Sequence, residues 1–164
     1  MQSIVLIGNS ITAEVLISLL KEDDRYLLEC CAVHKEFINE EKFKGLDVID
    51  IQDLPNRYDP SKVKAILAIG YRNMNQNREA IAKEVQGLGF ELETYIHREA
   101  SVHTEAIGAG SLILPGAVLD PCSKVGENSV IWSNVICAHH SVVGDNCWIA
   151  SGSIISGEAK VGNN

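Results

Sequence analysis

The stretch GENSVIWSNVICAHHSVVGDNCWIASGSIISGEAKVG, residues 126–162, repeats with a period of six. The position four residues beyond each apolar residue is small, except at Val135. A large apolar residue and a small one held at this period are typical of the hexapeptide repeat of a parallel β-helix. Counted in sixes along the chain, ten successive apolar positions are aliphatic or Cys: Ile107, Ile113, Leu119, Val125, Ile131, Cys137, Val143, Ile149, Ile155 and Val161.

The sequence also has a longer period of eighteen residues. Glycine recurs at positions 108, 126, 144 and 162. Three hexads therefore form one coil, and successive coils are expected to stack about 4.8 Å apart with the apolar residues inside. The recurring glycine marks one corner of the coil, and we expect positive φ there, where the chain also has Asn128, Asn146 and Asn163.

The chain before residue 98 has a different pattern, in which strands alternate with helices. Such alternation predicts an α/β domain with a small parallel sheet covered on both faces. We therefore predict two domains, residues 1–97 and 98–164. The predicted strands are residues 3–8, 27–33, 47–51, 63–70 and 90–97, and the predicted helices are residues 12–22 and 77–89.

Composition excludes several classes of protein. The chain has 164 residues, of which 46% are apolar and 22% charged, as in a globular protein. A net charge of -8 argues against a nucleic-acid partner, because no stripe of Lys and Arg is present to neutralise phosphates. The apolar runs are too short to cross a bilayer and no signal segment is visible, so we expect a cytoplasmic protein without a membrane partner. The five cysteines include no C-x-x-C, which favours reduced structural thiols.

These motifs resemble those of the bacterial sugar O-acyltransferases related to sialic acid O-acetyltransferases. The resemblance implies a Rossmann-like domain followed by a left-handed β-helix. It also implies transfer of an acetyl group from acetyl-CoA to an amino or hydroxyl group of a sugar, often nucleotide-linked, by a homotrimer. The motifs that carry it are the stretch quoted above and IVLIGNSITAEVL, GLDVIDIQDL, AIGYRNMNQNR and YIHREASV.

His139 and His140 are the third and fourth residues of the hexad that begins at Cys137, so both are expected to point away from the interior. A neutral imidazole can take the proton that an acceptor amine or hydroxyl loses during acyl transfer. The resemblance implies that His139 is this general base. It also places an acidic residue where this sequence has His140, and a second imidazole supplies no permanent negative charge.

Two carboxylates are candidates to orient His139 instead. The eighteen-residue period stacks Glu158 over His140 and places Asp120 beneath Ala138. Either one lies about one strand spacing from the histidine pair. The alternative is that both acids only solvate the outer face of the β-helix.

Adjacent histidines also permit a metal hypothesis, because hexapeptide β-helices include trimeric carbonic anhydrases that bind zinc at subunit interfaces. Zinc catalysis requires three protein ligands. His103, two coils below His139 by the eighteen-residue period, His34 and His97 offer no evident third ligand. A metal-dependent, carbonic-anhydrase-like function is the weaker alternative, and we predict no metal site.

A ligand site is predicted in the first domain. IGNSITA resembles a dinucleotide fingerprint between a strand and a helix, but Ser10 replaces the second glycine and no acidic residue ends the second strand, which argues against NAD. The helix N-terminus still favours an anion, and the resemblance implies a nucleotide-sugar acceptor. The alternative is a loop that only caps the following helix. The candidate residues are Gly8, Asn9, Ser10, Gly70, Tyr71, Arg72 and Asn73.

The number of coils and two tryptophans are relevant to the choice between functions. The sequence stops two residues beyond a corner glycine, with about three coils, whereas the resemblance implies further coils that build the acetyl-CoA groove. An acetyltransferase is favoured. The alternative is a catalytically silent module for sugar-nucleotide binding or assembly. Trp132 and Trp148 lie at outward positions, where trimer packing is favoured over ligand stacking.

Overall fold

The computed structural model describes residues 1–164, which form two compact units. Unit 1 comprises Met1–Gly70 and Ala80–Leu92, and unit 2 comprises Tyr71–Glu79 and Glu93–Asn164. The assignment of separate roles to residues 1–97 and 98–164 stays a prediction. None of the helices has the length and apolarity that crossing a membrane would require.

Unit 1 is built on a five-stranded mixed sheet in the order β3-β4-β2-β1-β5. Strands β1, β2, β4 and β5 are parallel, as predicted, whereas β3 adds an antiparallel edge. The elements up to residue 87 are β1 (Gln2–Ile7), α1 (Ile11–Lys21), β2 (Tyr26–Val33), β3 (Lys42–Phe43), β4 (Leu46–Asp50), α2 (Leu54–Arg57), β5 (Val63–Leu67) and α3 (Gln76–Gly87), with 3₁₀ turns at Lys35–Phe37 and Ile51–Asp53.

The core of unit 1 explains the unbroken apolar runs in its sequence. Strand β1 buries four successive residues, Ile4 to Ile7, and β5 buries Ala65, Ile66 and Leu67. A strand covered on both faces has no solvent side, so its apolar residues do not alternate with polar ones.

The single strand predicted over residues 90–97 is wrong. Leu92 forms an isolated bridge with Ala65 in unit 1, whereas Tyr95–Ile96 (β6) pairs within unit 2. Phe90, Leu92 and Tyr95 are buried, so the two-residue alternation breaks between Leu92 and Tyr95. The chain passes from one unit to the other at this break.

Unit 2 consists of two-residue strands arranged in three parallel sheets, which is a β-helix-like fold. The strands after β6 are β7 (Ser101–Val102), β8 (Leu112–Ile113), β9 (Val118–Leu119), β10 (Lys124–Val125), β11 (Val130–Ile131), β12 (Ile136–Cys137), β13 (Val142–Val143), β14 (Trp148–Ile149), β15 (Ile154–Ile155) and β16 (Lys160–Val161). The sheets are β6-β8-β11-β14, β7-β9-β12-β15 and β10-β13-β16.

The strand pairs confirm the eighteen-residue coil. Ile113 pairs with Ile131, and Ile131 pairs with Ile149. The first coil is one residue shorter, because Ile96 pairs with Ile113. The predicted inward residues form the core of the unit, and Ile113, Leu119, Ile131 and Cys137 are completely buried.

The small residues of the first seven repeats are buried, whereas Ser153 and Ala159 are half-buried, and some of the small residues join successive coils. The Ser129 amide donates to Ser111 Oγ at 2.9 Å, and Ser129 Oγ donates to the Gly144 carbonyl at 2.8 Å. Cys147 continues this column, since its amide donates to Ser129 Oγ at 2.9 Å. A small polar side chain at this position therefore satisfies backbone groups of neighbouring coils.

Positive φ recurs every sixth residue, but not at the glycines that the sequence analysis selected. In the glycine-marked corner it falls on Asn128, Asn146 and Asn164, and the choice of Asn163 was therefore wrong by one residue. The glycines serve close stacking instead, because a Cβ at Gly126 would lie 2.5 Å from the carbonyl carbon of Gly144 in the next coil. The residues with positive φ that follow this six-residue period are Gly110, Gly116, Cys122, Asn128, Asn134, His140, Asn146, Gly152, Glu158 and Asn164.

Candidate functional site

Two corners of the coil differ in their residues. We call residues 126–128, 144–146 and 162–164 the structural corner, because it carries the repeated glycine. We call residues 120–122, 138–140 and 156–158 the histidine corner. The histidine corner connects β9 to β10, β12 to β13 and β15 to β16.

The histidine corner holds every left-handed residue of the β-helix that is neither Gly nor Asn. These are Cys122, His140 and Glu158, with φ of 65°, 60° and 63°. Left-handed backbone is costly for most residues with a side chain, by about 1–2 kcal/mol. Unfavourable backbone of this kind clusters at functional sites. The backbone thus singles out the corner that carries the histidine pair.

The two imidazoles of this corner contact each other. His139 Nδ1 lies 3.3 Å from His140 Nδ1, and the rings meet edge to face with centroids 5.5 Å apart. Both residues are exposed, which agrees with the predicted outward orientation. The pair is therefore accessible to a ligand, and each ring is the other's hydrogen-bond partner.

Gly157 in the next coil borders the His139 ring. A Cβ at Gly157 would lie 2.8 Å from His139 Cε1 and 2.9 Å from Nε2. Any other residue there would push against the ring. Gly157 was not predicted as a site residue, although its position eighteen residues beyond His139 was a usable signal.

The predicted carboxylates stack near the pair without contacting either ring through a hydrogen bond or ion pair. The Glu158 amide donates to the His139 carbonyl at 3.1 Å, and the Asp120 amide donates to the Cys137 carbonyl at 2.9 Å. Burial, and to a lesser degree the charge of Asp120, raises the pKa of the Cys137 thiol to about 11. The stacking is as expected, and the orienting role of either acid stays a prediction.

The three N-terminal candidates lie between β1 and α1, as the motif predicts. Gly8 has φ of 129°, and a Cβ there would lie 2.8 Å from the Ala68 carbonyl oxygen. Asn9 Nδ2 donates to the Phe37 carbonyl at 2.9 Å. Ser10 is the N-cap of α1, but its hydroxyl makes no capping hydrogen bond. The Ser10 hydroxyl is thus exposed at a helix N-terminus.

The other four candidates are divided between the units. Gly70 belongs to unit 1, whereas Tyr71, Arg72 and Asn73 belong to unit 2 and are exposed. The Tyr71 ring lies 5.4 Å from that of Trp148, which lies 5.2 Å from that of Trp132. The two outward tryptophans therefore pack on each other within one chain.

The segment from Tyr71 to Glu79 has unusual backbone. Asn73, Met74 and Asn75 are left-handed in succession, with φ of 56°, 47° and 61°. Arg78 is completely buried, and its Nε donates to the Asn128 carbonyl at 2.9 Å. Burial lowers the pKa of Arg78 to about 9. This buried arginine, which was not predicted from the sequence, connects the segment to the structural corner.

The metal hypothesis receives no support from the side-chain arrangement. No group of three His, Cys, Asp or Glu side chains is placed to hold a metal ion. His103 is aligned with Ala138 and not with His139, because Val102 pairs with Leu119 and Leu119 with Cys137. Its Nε2 lies 3.0 Å from Ser101 Oγ.

Comparisons with known proteins identify relatives of the fold. No protein-family model and no curated protein matches the chain. The acetyltransferase domain of PglB from Neisseria gonorrhoeae FA1090 is 22% identical with a TM-score of 0.82, and the match covers 98% of this chain and 77% of that one. The likeness shows a shared fold. The same domain has been solved in complex with acetyl coenzyme A.

Two further solved structures share the fold at lower identity. A histidine-to-asparagine variant of perosamine N-acetyltransferase from Caulobacter crescentus, in complex with CoA and GDP-perosamine, is 18% identical with a TM-score of 0.64; the match covers 100% of this chain and 92% of that one. WeeI from Acinetobacter baumannii AYE is 19% identical with a TM-score of 0.66, and the match covers 100% of this chain and 90% of that one.

Proposed function

We propose that this protein is an acetyl-CoA-dependent acyltransferase that acetylates an amino or hydroxyl group of a nucleotide-linked sugar, with His139 as general base. The observation that carries the proposal is the exposed imidazole pair at the histidine corner. The fold supports it, because its solved relatives include acetyltransferases in complex with acetyl-CoA, CoA or GDP-perosamine.

The reaction needs only groups that this site and its two substrates supply. The acceptor nitrogen or oxygen attacks the carbonyl carbon of the acetyl thioester while the His139 imidazole takes the acceptor proton. The carbon–sulfur bond then breaks, and CoA leaves as a thiolate that is protonated by the imidazolium or by water. No covalent intermediate on the protein is required.

The acceptor site belongs to the same proposal. The helix N-terminus at Gly8, Asn9 and Ser10 suits a phosphate group, because its free amides carry partial positive charge. Tyr71, Arg72 and Asn73 are proposed to contact the nucleotide. From the sequence resemblance we also propose a Rossmann-like fold for residues 1–97 and left-handed winding of the β-helix. A cytoplasmic location stays a prediction.

A homotrimer is proposed as the active assembly. Ile136 and Ile154 form an exposed apolar column on the sheet that leads into the histidine corner, with exposed fractions of 36% and 66%. Covering this column with a second copy would remove apolar surface from water. Such a partner would lie beside His139.

The second candidate is a module that binds a sugar nucleotide without transferring an acetyl group. The observation that favours it is the lack of a carboxylate hydrogen bond to either imidazole. It predicts binding of a nucleotide sugar with no turnover of acetyl-CoA.

Thiol release from acetyl-CoA tests both candidates. Purified protein is supplied with acetyl-CoA and a panel of nucleotide-linked amino and hydroxy sugars, and the product is identified by mass and NMR. We expect turnover that His139→Ala lowers about 10³-fold, whereas the exposed control His103→Ala keeps the wild-type rate. Binding of a nucleotide sugar without turnover would favour the silent module, and equal rates for wild type and His139→Ala would reject His139 as the base.

A further inference from the structure

The Nδ1 contact between the two histidines has a chemical consequence. A neutral imidazole carries a proton on one ring nitrogen and a lone pair on the other. The Nδ1 atoms of His139 and His140 are 3.3 Å apart, so a hydrogen bond between neutral rings requires one Nδ1 to donate and the other to accept. The direction of this bond decides which nitrogen of His139 is basic.

Only one direction leaves His139 able to act as a base. When His139 Nδ1–H donates to His140 Nδ1, the lone pair of His139 is on Nε2, away from its neighbour. When His140 donates instead, His139 carries its remaining proton on Nε2 and has no lone pair free. A protonated His140 has N–H donors on both nitrogens, so it enforces the second arrangement.

Gly157 lets the next coil pack closely against His139. A Cβ at this position would lie 2.8 Å from Cε1, 2.9 Å from Nε2 and 3.4 Å from Nδ1, which places it over the ring face and not in the ring plane, where the Nε2 lone pair points. Gly157 lacks positive φ, so backbone conformation does not explain the glycine. The exposed His139 ring thus has Nδ1 against His140, whereas no hydrogen-bond partner contacts its Nε2.

We propose that His140 is a positioning residue whose neutral Nδ1 accepts the His139 Nδ1 proton and so leaves the basic lone pair of His139 on Nε2. The inference rests on the proposed function for its catalytic consequence. Transfer then requires both imidazoles to be neutral, and protonation of either one stops it. A carboxylate at this position would leave only one imidazole to titrate.

Other titratable groups near the pair do not take this role through a hydrogen bond. The stacked corners contribute Asp120 and Cys122 from the coil below and Glu158 from the coil above, and the adjoining strands contribute Lys124 and Lys160. None of these side chains hydrogen-bonds either ring. The hydrogen bond between the two Nδ1 atoms therefore depends on the protonation of the two imidazoles alone.

Replacing His140 by Asn or by Gly separates a positioning role from an effect on folding. Both Asn and Gly tolerate the left-handed backbone at position 140. His140→Asn places an amide Oδ1 at the same side-chain distance, so it can accept the His139 proton without titrating. His140→Gly removes the acceptor. We expect kcat within about 3-fold of wild type for His140→Asn and a loss on the order of 10²-fold for His140→Gly, with an unchanged KM for acetyl-CoA. A wild-type kcat in His140→Gly would overturn the inference.

The pH dependence of kcat/KM gives a second readout. For wild type, log kcat/KM should rise on the acid side with a limiting slope of about two, since two imidazoles must lose a proton. For His140→Asn the slope should be about one. Equal slopes in the two proteins would contradict the inference.

The tautomer of His139 can be measured without any substrate. A long-range ¹H–¹⁵N spectrum of the neutral rings should show His139 protonated on Nδ1 in wild type and His140→Asn, and a shift towards the Nε2–H form in His140→Gly. An Nε2–H His139 in wild type would overturn the inference whatever the activity. An Nδ1–H His139 in a protein without transferase activity would reject the proposed function and leave the positioning role supported.

Discussion

The structural corner and the histidine corner occupy equivalent places in the same eighteen-residue coil, yet they hold their backbones by different means. In the structural corner, side chains link the coils: Asp145 Oδ1 accepts from the Glu127 amide at 2.9 Å, and Asn128 Nδ2 donates to Asn146 Oδ1 at 2.8 Å. In the histidine corner, the side chains at the same positions make no such links. Where the corner is not used to join coils, its side chains are available to a ligand.

A glycine-to-alanine change should lower stability in the structural corner but mainly lower activity in the histidine corner. Gly126→Ala places a Cβ 2.5 Å from the Gly144 carbonyl carbon, and neither backbone can move without disturbing the strand pairs. We expect a loss of about 3 kcal/mol in the free energy of unfolding, measured by urea denaturation. Gly87→Ala, where a Cβ meets nothing within 4 Å, is the control and should change stability little.

In the histidine corner, the Cβ of Gly157→Ala would meet the exposed His139 ring, which can move. We expect a stability loss of less than about 1 kcal/mol, together with a fall in kcat on the order of 10²-fold because the His139 ring is displaced. A Gly157→Ala protein that is as unstable as Gly126→Ala would show that both corners are structural.

The coil with the histidine pair also contains Cys137, which is the one cysteine among the ten inward hexad positions. Its thiol is expected to make the free energy of unfolding depend on pH. Burial raises the pKa of Cys137 from 9.0 to about 11, so the folded state keeps a proton that the unfolded state loses above pH 9. The protonated thiol therefore contributes to the free energy of unfolding, on the order of 2 kcal/mol. This contribution is complete below pH 9 and is lost as the pH rises to 11.

Unfolding by urea at pH 8 and pH 11 measures this loss. Cys30 and Cys31, with pKa values raised by burial to about 11 and 12, contribute a similar loss in unit 1. Cys137→Val is therefore the matched control, because Val occupies the equivalent inward position at Val125 and Val143. A decline as steep in Cys137→Val as in wild type would exclude this thiol as a source.

Asn146→Ala tests the side-chain ladder of the structural corner. Alanine at φ 57° is unfavourable, and the change also removes the acceptor of Asn128 Nδ2. We expect a loss of about 1.5 kcal/mol by urea denaturation. His140→Ala at φ 60° keeps the backbone cost without a ladder and should lose less stability; an equal loss would mean that the ladder contributes nothing.

The smallest expected effect is a gain. Glu158→Asn replaces a residue at φ 63° by one that adopts this backbone readily, so we expect about 0.5 kcal/mol of added stability. Glu158→Gln removes the charge but keeps the backbone restraint, and it should show no gain. Thermal unfolding of the two variants compares them directly.

Sequence patterns predicted the elements whose burial is periodic. The inward residues of the hexads and strands β1, β2, β4 and β5 of unit 1 follow from period and apolar runs, and the structure agrees; the short edge strand β3 has no such run. The left-handed position of each hexad also has a sequence signal, since seven of its ten residues are Gly or Asn. The prediction nevertheless assigned positive φ to the recurring glycine, two residues before the left-handed position. Steric crowding between coils, not backbone freedom, explains that glycine.

The predicted site residues were harder to relate to one another. Outward exposure of His139 and His140 follows from their phase in the hexad. Their Nδ1 contact, however, involves a His140 with left-handed backbone, and the His139 ring packs closely against Gly157 of the next coil. The packing of Tyr71 on Trp148 joins residues from distant segments, for which no local pattern exists.

The repeat alone is enough to predict the eighteen-residue coil, the inward and outward faces of each hexad and the position of the histidine pair, because each is set by a short period along the chain. The folded structure was needed to find which atoms of that pair meet, why one corner requires glycine and how Arg78 is buried beneath the Asn128 carbonyl. These features arise where separate coils and segments stack, and stacking distances are a property of the assembled backbone.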